Sequence, residues 1–321
     1  MNCNFFCKHC GSSAGKQTFN NELNTAEILK TFKDLSRDFN PKEIVIAVTG
    51  GEPLLRKDIF EVMKFANNLG FQWGMVTNGY FVNIEVVNKM KESGMNSIDV
   101  SIDGIEEVHD ELRNMKGSYE KAINAVKLLR ENNFLQFLRI TTTINKQNFF
   151  QLQEMYEAFS ILGITGWRIL TIEPIGRAEQ NRELLLNKEE LTHVLNFIKE
   201  KKKITKIDIT YGCNTYLGLD FESVVRKPFY YCSAGINIAS ILYNGDISVC
   251  PTVERKKEFI QGNIKSDNFF EVWNNKFQIY RNKNRTSNEK CQKCEHWDNC
   301  LGGNFHSWDF EEKNQKSCHF N

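Results

Sequence analysis

Residues 44–53 read Ile-Val-Ile-Ala-Val-Thr-Gly-Gly-Glu-Pro. A short, wholly apolar, mostly β-branched run that stops at a Gly-Gly turn is the pattern of a strand buried on both faces, as in a parallel sheet. Similar runs return at Trp73–Thr77, Ser97–Ile102, Phe137–Ile144 and Trp167–Ile172. Helical periodicity fills the gaps. Ile59, Val62, Met63, Phe65 and Ala66 share one helix face, as do Ile123, Val126, Leu128 and Leu129, and then Leu152, Met155, Phe159 and Leu162. Gly70, Gly94 and Gly163 stand where those helices should stop. The unit recurs at about 30 residues, the size of a β–α crossover. We therefore expect an α/β fold, a partial (β/α)6 barrel of the TIM type. A sixth strand is expected ahead of Cys3, where it is missing or truncated in this sequence. In such barrels functional residues gather at the C-terminal strand ends. The polar groups at those ends are Thr49 to Glu52, Thr77 to Gly79, Ser101 to Gly104, and Asn145.

Past residue 205 the rhythm changes. Ile238–Leu242 and Ile247–Val249 flank Asn244-Gly245, the signature of a tight hairpin. One helix is expected from Asn268 to Lys283, followed by clustered cysteines with little periodicity. We divide the chain into a barrel, 1–205, and a small cysteine-rich domain, 206–321, too small and polar for a self-sufficient core and so expected to be stapled by metal.

The 321 residues are 41% apolar and 25% charged with a net charge of +1, which gives no electrostatic argument for nucleic acid or an anionic membrane as partner. The Lys199–Lys203 run reads as a solvated helix end. No apolar stretch is long enough to span a bilayer and no signal peptide precedes the first cysteine, so a cytoplasmic protein is expected. Thiols stay reduced there, so the ten cysteines point to metal rather than disulfides.

Cys3, Cys7 and Cys10 put three thiolates on one loop. A structural zinc or a simple electron-transfer cluster normally takes four protein ligands. Three leave one iron of a cluster open to an outside ligand. The competing reading is a zinc site completed by His9 or a remote residue.

The Cys-x3-Cys-x2-Cys loop, followed after the next strand by Gly50-Gly51-Glu52-Pro53, resembles the radical S-adenosylmethionine (SAM) superfamily. That resemblance implies a 4Fe-4S cluster on Cys3, Cys7 and Cys10 whose open iron chelates the cofactor's amino and carboxylate groups. It places Gly50, Gly51 and Glu52 at the methionyl amino group. Thr77 and Asn78 would lie near the cofactor, as would Ser101 and Asp103 at its ribose and methionine ends. Arg113, within His109-Asp110-x2-Arg113, would pair with its carboxylate; the plainer reading of Arg113 is a surface ion pair with Asp110. Asn145 is a further cofactor-binding candidate.

The C-terminal third resembles the superfamily's SPASM extension: Cys232-x12-Gly245-x4-Cys250, then Cys291-x2-Cys294-x5-Cys300 and Cys318. The resemblance implies one or two auxiliary iron–sulfur clusters, one held by Cys291, Cys294, Cys300 and Cys318. A zinc ribbon is the alternative for those four. Asn304 stands where the usual pattern has another cysteine, which leaves the first auxiliary site with Cys232, Cys250 and Cys213 as its candidate ligands. That site is then three-ligated and open, completed by Asn304 or His306, or empty.

The implied activity is reductive cleavage of S-adenosylmethionine to methionine and a 5′-deoxyadenosyl radical, which abstracts hydrogen from substrate. The SPASM resemblance implies a peptide or protein substrate modified by thioether or carbon–carbon crosslinking. It also implies an electron donor such as a flavodoxin or ferredoxin. No fused leader-recognition domain is visible in the sequence, so leader binding falls to a separate protein or to the barrel. Alternatives are a tetrapyrrole-modifying enzyme of the haem-biosynthesis type and, lower, a sulfatase-maturase-like enzyme, which would have Asp where Pro251 stands. An iron–sulfur electron carrier or a zinc-stabilised binding protein is the non-enzymatic alternative.

Overall fold

The computed structural model describes residues 1–16, 21–212, 215–227, 231–282, 289–311, 314–316 and 318–320. Six parallel strands form one sheet in sequence order: β1 (Val45–Val48), β2 (Gln72–Thr77), β3 (Ser97–Ser101), β4 (Phe137–Ile144), β5 (Gly166–Thr171) and β6 (Asp208–Tyr211). The connecting helices are α1 (Thr25–Asp38) ahead of β1, then α2 (Ile59–Asn68), α3 (Ile84–Glu92), α4 (Glu106–Arg113), α5 (Ser118–Asn132), α6 (Leu152–Ser160) and α7 (Lys188–Lys201). α1 and α7 each begin with a full capping box, Asn24 with Glu27 and Asn187 with Glu190, which satisfies otherwise orphaned N–H groups. Gly70, Gly94 and Gly163 follow α2, α3 and α6 with positive φ, as expected.

Two expectations change. The sheet's sixth strand is β6, which lies beyond the five runs read from the sequence and pairs in parallel with β5. Its four residues, Asp-Ile-Thr-Tyr, alternate polar and apolar, and it follows a lysine-rich helix end, so it lacks the apolar run of its neighbours. The sheet thus runs past the expected division at residue 205. In addition, β1 is an edge strand, with Val45 64% exposed, rather than a strand buried on both faces.

After α8 (Leu219–Val225) the chain forms a three-stranded antiparallel sheet, β7 (Ser240–Ile241), β8 (Asp246–Ser248) and β9 (Gly262–Asn263), with the expected turn at Asn244-Gly245. The helix expected over 268–283 is broken into α9 (Phe269–Asn275) and a turn at Gln278–Arg281. This region is not coreless. Ile247, Val249, Phe259, Val272, Phe277, Tyr280 and Phe305 form a core of their own, and Cys232 and Cys250 pack against it. The aromatic rings that build it are dispersed along the chain without period, so no pattern announces them. Among the described residues no helix is long and apolar enough to cross a membrane.

Candidate functional site

The three N-terminal cysteines lie on a loop tied into the barrel mouth by main-chain bonds. Cys3 N donates to Gly15 O at 2.9 Å, and Glu52 N donates to Asn2 O at 3.0 Å. Phe5 is buried and meets Tyr80 edge-on at 5.6 Å between ring centres. Cys3 and Cys7 are buried and Cys10 is half-buried. Burial pushes the Cys3 thiol up, and the Cys7 thiol to about 11, and negative charge on Cys10 adds to both. Three mutually repelling soft donors in a dry pocket need added positive charge before all can ionise. An iron–sulfur cluster supplies that charge, so the donor set fits one.

Gly50-Gly51-Glu52-Pro53 follows β1 directly, and the reason for its second glycine is visible. A Cβ on Gly51 would lie 1.8 Å from Asn2 O and 3.1 Å from Cys3 Cβ, so this glycine lets the cysteine loop itself approach. Gly50 takes φ +142°, in the region that favours glycine. The Glu52 carboxylate is buried and accepts from Thr77 Oγ1 at 2.8 Å, Asn78 N at 2.8 Å and Leu54 N at 3.2 Å. Burial raises its pKa, opposed by those hydrogen bonds. Three donors on a group with about four lone-pair positions leave room for one more. Asn78 also donates to Asn4 Oδ1 at 2.9 Å, joining the end of β2 to the cysteine loop.

Asp103, just past β3, has no exposed surface. Its Oδ2 lies 2.7 Å from Arg113 Nη2 and 3.0 Å from His9 Nε2, and its Oδ1 accepts from Thr143 N at 2.8 Å. Burial opposes ionisation, yet Arg113 and His9 hold the carboxyl well below the usual carboxylate range. The Arg113 side chain is largely covered in turn, with 12% of its surface exposed. Its Nη1 lies 3.9 Å from Cys7 Sγ, and against the cost of burial Asp103 keeps it charged. Arg113 is thus not paired with Asp110, which instead accepts from Ser118 Oγ and from the main chain at Gly117 and Tyr119, fixing the start of α5. His109 Nδ1 accepts from Asp103 N at 3.0 Å, and burial lowers its pKa to about 3.

Ser101 is half-buried at the end of β3, opposite Thr141. The Asn145 side chain is engaged by its own turn, accepting from Gln147 N at 2.8 Å and donating to Thr143 O at 3.2 Å. It closes the end of β4. His9, weighed in the sequence only as a zinc ligand, and Arg177 and Asn181, not singled out there, also touch the cysteine loop or its partners. Only the position of His9 between two cysteines signalled one of them.

The C-terminal cysteines fall into two groups. Burial raises the Cys250 thiol, Cys232 adds to the shift, and Thr252 Oγ1 lies 2.8 Å from Cys250 Sγ. Burial pushes Cys300 up to about 11, and Cys318 and Cys291 add to it. Cys294 and Cys300 both act on the Tyr216 hydroxyl, whose pKa is raised mainly by burial. Cys213 lies outside the described residues. Asn304 is buried, and its main-chain oxygen accepts from Gln315 Nε2 at 3.1 Å.

Between the two cysteine regions lies a cavity of about 300 Å³. Gly11 and Ser13 border it on one side, Pro251 and Thr252 on another, and Phe259, Phe305, Trp308 and Phe310 supply an aromatic wall. His306 also lines it, with its pKa lowered to about 4 by burial, so at neutral pH the ring is uncharged.

A six-stranded parallel α/β sheet with a three-cysteine loop at its mouth and a second cysteine-bearing domain behind defines an iron–sulfur enzyme of the partial-barrel class. The Radical SAM superfamily profile matches residues 1–159, and the SPASM iron–sulfur cluster-binding domain matches residues 232–295. The chain belongs to the radical SAM enzymes with a SPASM extension. Its cofactors are the 4Fe-4S cluster, S-adenosylmethionine and auxiliary iron–sulfur clusters. It is 28% identical to an AdoMet-dependent heme synthase of Oleidesulfovibrio alaskensis, over 94% of this chain and 79% of that one. It is 29% identical to the mycofactocin maturase MftC of Mycolicibacterium smegmatis, over 94% and 75%. Among solved structures, anSMEcpe with bound AdoMet superposes with a TM-score of 0.76 at 17% identity, over 98% of this chain and 89% of that one.

Proposed function

We propose that this enzyme abstracts hydrogen from a peptide or protein side chain and so matures it, forming a thioether or carbon–carbon crosslink. The cavity between the cysteine loop and the Cys250 loop carries this reading. Its volume of about 300 Å³ lies at the small end of the range of ligand pockets and takes one aromatic or aliphatic side chain. A peptide threaded between the domains would present one side chain to it. The mycofactocin maturase similarity supports the same substrate class.

Bound at Cys3, Cys7 and Cys10, the cluster and S-adenosylmethionine supply one-electron cleavage of a carbon–sulfur bond and hence the hydrogen-abstracting radical. This chain's residues do the rest. Glu52 offers its spare lone pair to the cofactor's ammonium. Gly50, Thr77, Asn78 and Ser101 border the same strand ends. Arg113, held by Asp103, would pair with the cofactor's carboxylate, a task suited to a guanidinium. Asn145 shapes the end of β4. Cys291, Cys294, Cys300 and Cys318 would hold one auxiliary cluster, and Cys232 and Cys250 would offer two ligands to another, with Cys213, Asn304 and His306 the candidates to complete it. Electrons come from a flavodoxin or ferredoxin, and leader binding from a separate protein or the barrel.

A second reading rests on a specific observation: the relatives most similar in sequence include AdoMet-dependent heme synthases and an Fe-coproporphyrin III synthase. On that reading the substrate is a tetrapyrrole, taken up at the same barrel mouth. One experiment separates the two. The reduced, reconstituted enzyme is incubated with S-adenosylmethionine and either a small peptide encoded beside its gene or an iron coproporphyrin, and products are read by mass spectrometry. A peptide lighter by a pair of hydrogens supports maturation. Decarboxylated porphyrin with unmodified peptide overturns it.

A further inference from the structure

A loop carrying three cysteines at such short spacing has no regular structure to take up its main-chain carbonyls, yet buried carbonyls must find donors. The loop's own turns supply part, Cys10 N donating to Cys7 O at 3.4 Å and Ser13 N to Cys10 O at 3.1 Å, and one outside segment supplies further donors. It follows β5 and runs from Ile175 to Asn181. Arg177 N donates to Cys10 O at 3.0 Å, Arg177 Nε donates to Cys7 O at 2.8 Å, and Asn181 Nδ2 donates to Lys8 O at 3.2 Å. Arg177 is 8% exposed, and its guanidinium carbon lies 3.9 Å from the centre of the Phe6 ring. Gly176 takes φ +59°, and a Cβ there would lie 2.4 Å from Gly11 O and 2.6 Å from Cys10 O. The segment is therefore pressed against the loop as closely as main chain allows.

We propose that Ile175–Asn181 is a brace for the cluster-bearing loop and that Arg177 is its positioning residue. It touches no thiol. It acts through the Cys7 and Cys10 carbonyls, fixing the peptide planes from which those two side chains spring. Arginine suits the task because one planar group both donates along Nε and stacks on an aromatic face, which a lysine ammonium on its flexible stem does not do. The same segment borders the cavity through Ile175, Gly176 and Glu179, so brace and substrate space share a wall.

The test uses the full chain, reconstituted anaerobically, as wild type and as Arg177→Gln, Arg177→Lys and Gly176→Ala. Electron paramagnetic resonance of the reduced protein is recorded with and without S-adenosylmethionine, because only the cluster with an open iron responds to it. Release of iron to a chelator is followed in parallel. We expect the S-adenosylmethionine-sensitive signal to lose iron roughly tenfold faster in all three variants, the factor that one lost charge-assisted hydrogen bond corresponds to. Lysine should perform no better than glutamine, and the auxiliary signals should stay at wild-type values in the Arg177 variants, while Gly176→Ala, whose Cβ meets main chain at 2.4 Å, also lowers the melting temperature. Wild-type retention of the sensitive signal in the Arg177 variants overturns the proposal. So does loss of the auxiliary signals in step with it, which would mark Arg177 as a general folding residue. Asn181→Ala, removing one peripheral bond, should give an intermediate rate, and a rate above that of Arg177→Gln would shift the brace away from Arg177.

Discussion

Asp103→Asn tests the network behind the cluster loop. The aspartate side chain is fully buried and its partner Arg113 only 12% exposed, with 2.7 Å between them. Removing one member of such a pair strands the other charge in a dry site and costs about 3–5 kcal/mol. For a domain of this size that is a fall in melting temperature of roughly 10 °C. The double variant Asp103→Asn, Arg113→Met removes the stranded charge as well, so it should be more stable than Asp103→Asn alone. Because the Asp103 carboxyl lies below its unfolded value in the fold, this stabilisation is present above about pH 4 and is lost only as pH falls through the folded value. The gap between wild type and variant should therefore persist at pH 5. The assay is circular dichroism melting of the anaerobic protein, with cluster absorbance as a second probe. A single variant within 1 kcal/mol of wild type, or a double variant less stable than Asp103→Asn, would refute the assignment of Asp103 as the counter-charge that holds Arg113.

Replacing Cys3, Cys7 and Cys10 together by Ala should abolish 5′-deoxyadenosine formation while auxiliary iron is kept; product above background would show that another cluster meets the cofactor. Gly51→Ala should disrupt the cysteine loop, since a Cβ 1.8 Å from Asn2 O forces that strand of backbone away, and overpacking plus the weakened Glu52–Asn2 bond should cost roughly 2–4 kcal/mol by urea unfolding. His109 is neutral in the fold with its pKa lowered to about 3, so its contribution is complete above pH 6.5 and is lost as pH falls toward 3; melting should drop over that window in wild type and less in His109→Gln. Anaerobic iron analysis should give about twelve irons per chain with both auxiliary sites filled and about eight with one, and Asn304→Cys should raise the lower figure if Asn304 occupies a ligand position.

The repeat of buried strand and amphipathic helix was legible because inner strands of a parallel sheet, covered on both faces, are rich in apolar and β-branched residues. β6 was not, for it is short, polar at alternate positions and at the sheet edge, where only one side pairs. The cysteines were legible because thiolate chemistry fixes residue type and spacing together. Their supports were not. Asp103 drew notice through the family resemblance, but its partners His9 and Arg113 come from two segments far apart in the chain, a meeting that no local pattern announces. Arg177 is one arginine among many until the fold lays its segment on the loop.

The two cysteine regions differ in how much of their shape is owed to metal. The N-terminal loop is fastened on all sides by the protein: Gly15 and Glu52 at its start, Asn78 at Asn4, Leu112 at Lys8, and Arg177 at Cys7 and Cys10. Its ligands are thus arranged before the cluster arrives, and little ordering entropy is left for metal binding to overcome. The tail from Glu289 to Phe320 has short helical turns at Glu289–Gln292 and Trp297–Cys300 and a two-residue strand pair, with Phe305 and Trp308 as its large buried anchors. Ligand binding to an unfinished site is coupled to folding, whereas a finished site only accepts the ligand. Removing iron should therefore loosen the tail while leaving the loop near Cys3 in place. That asymmetry suits a protein whose first cluster must be positioned against a cofactor and whose later clusters also serve to hold their own domain together.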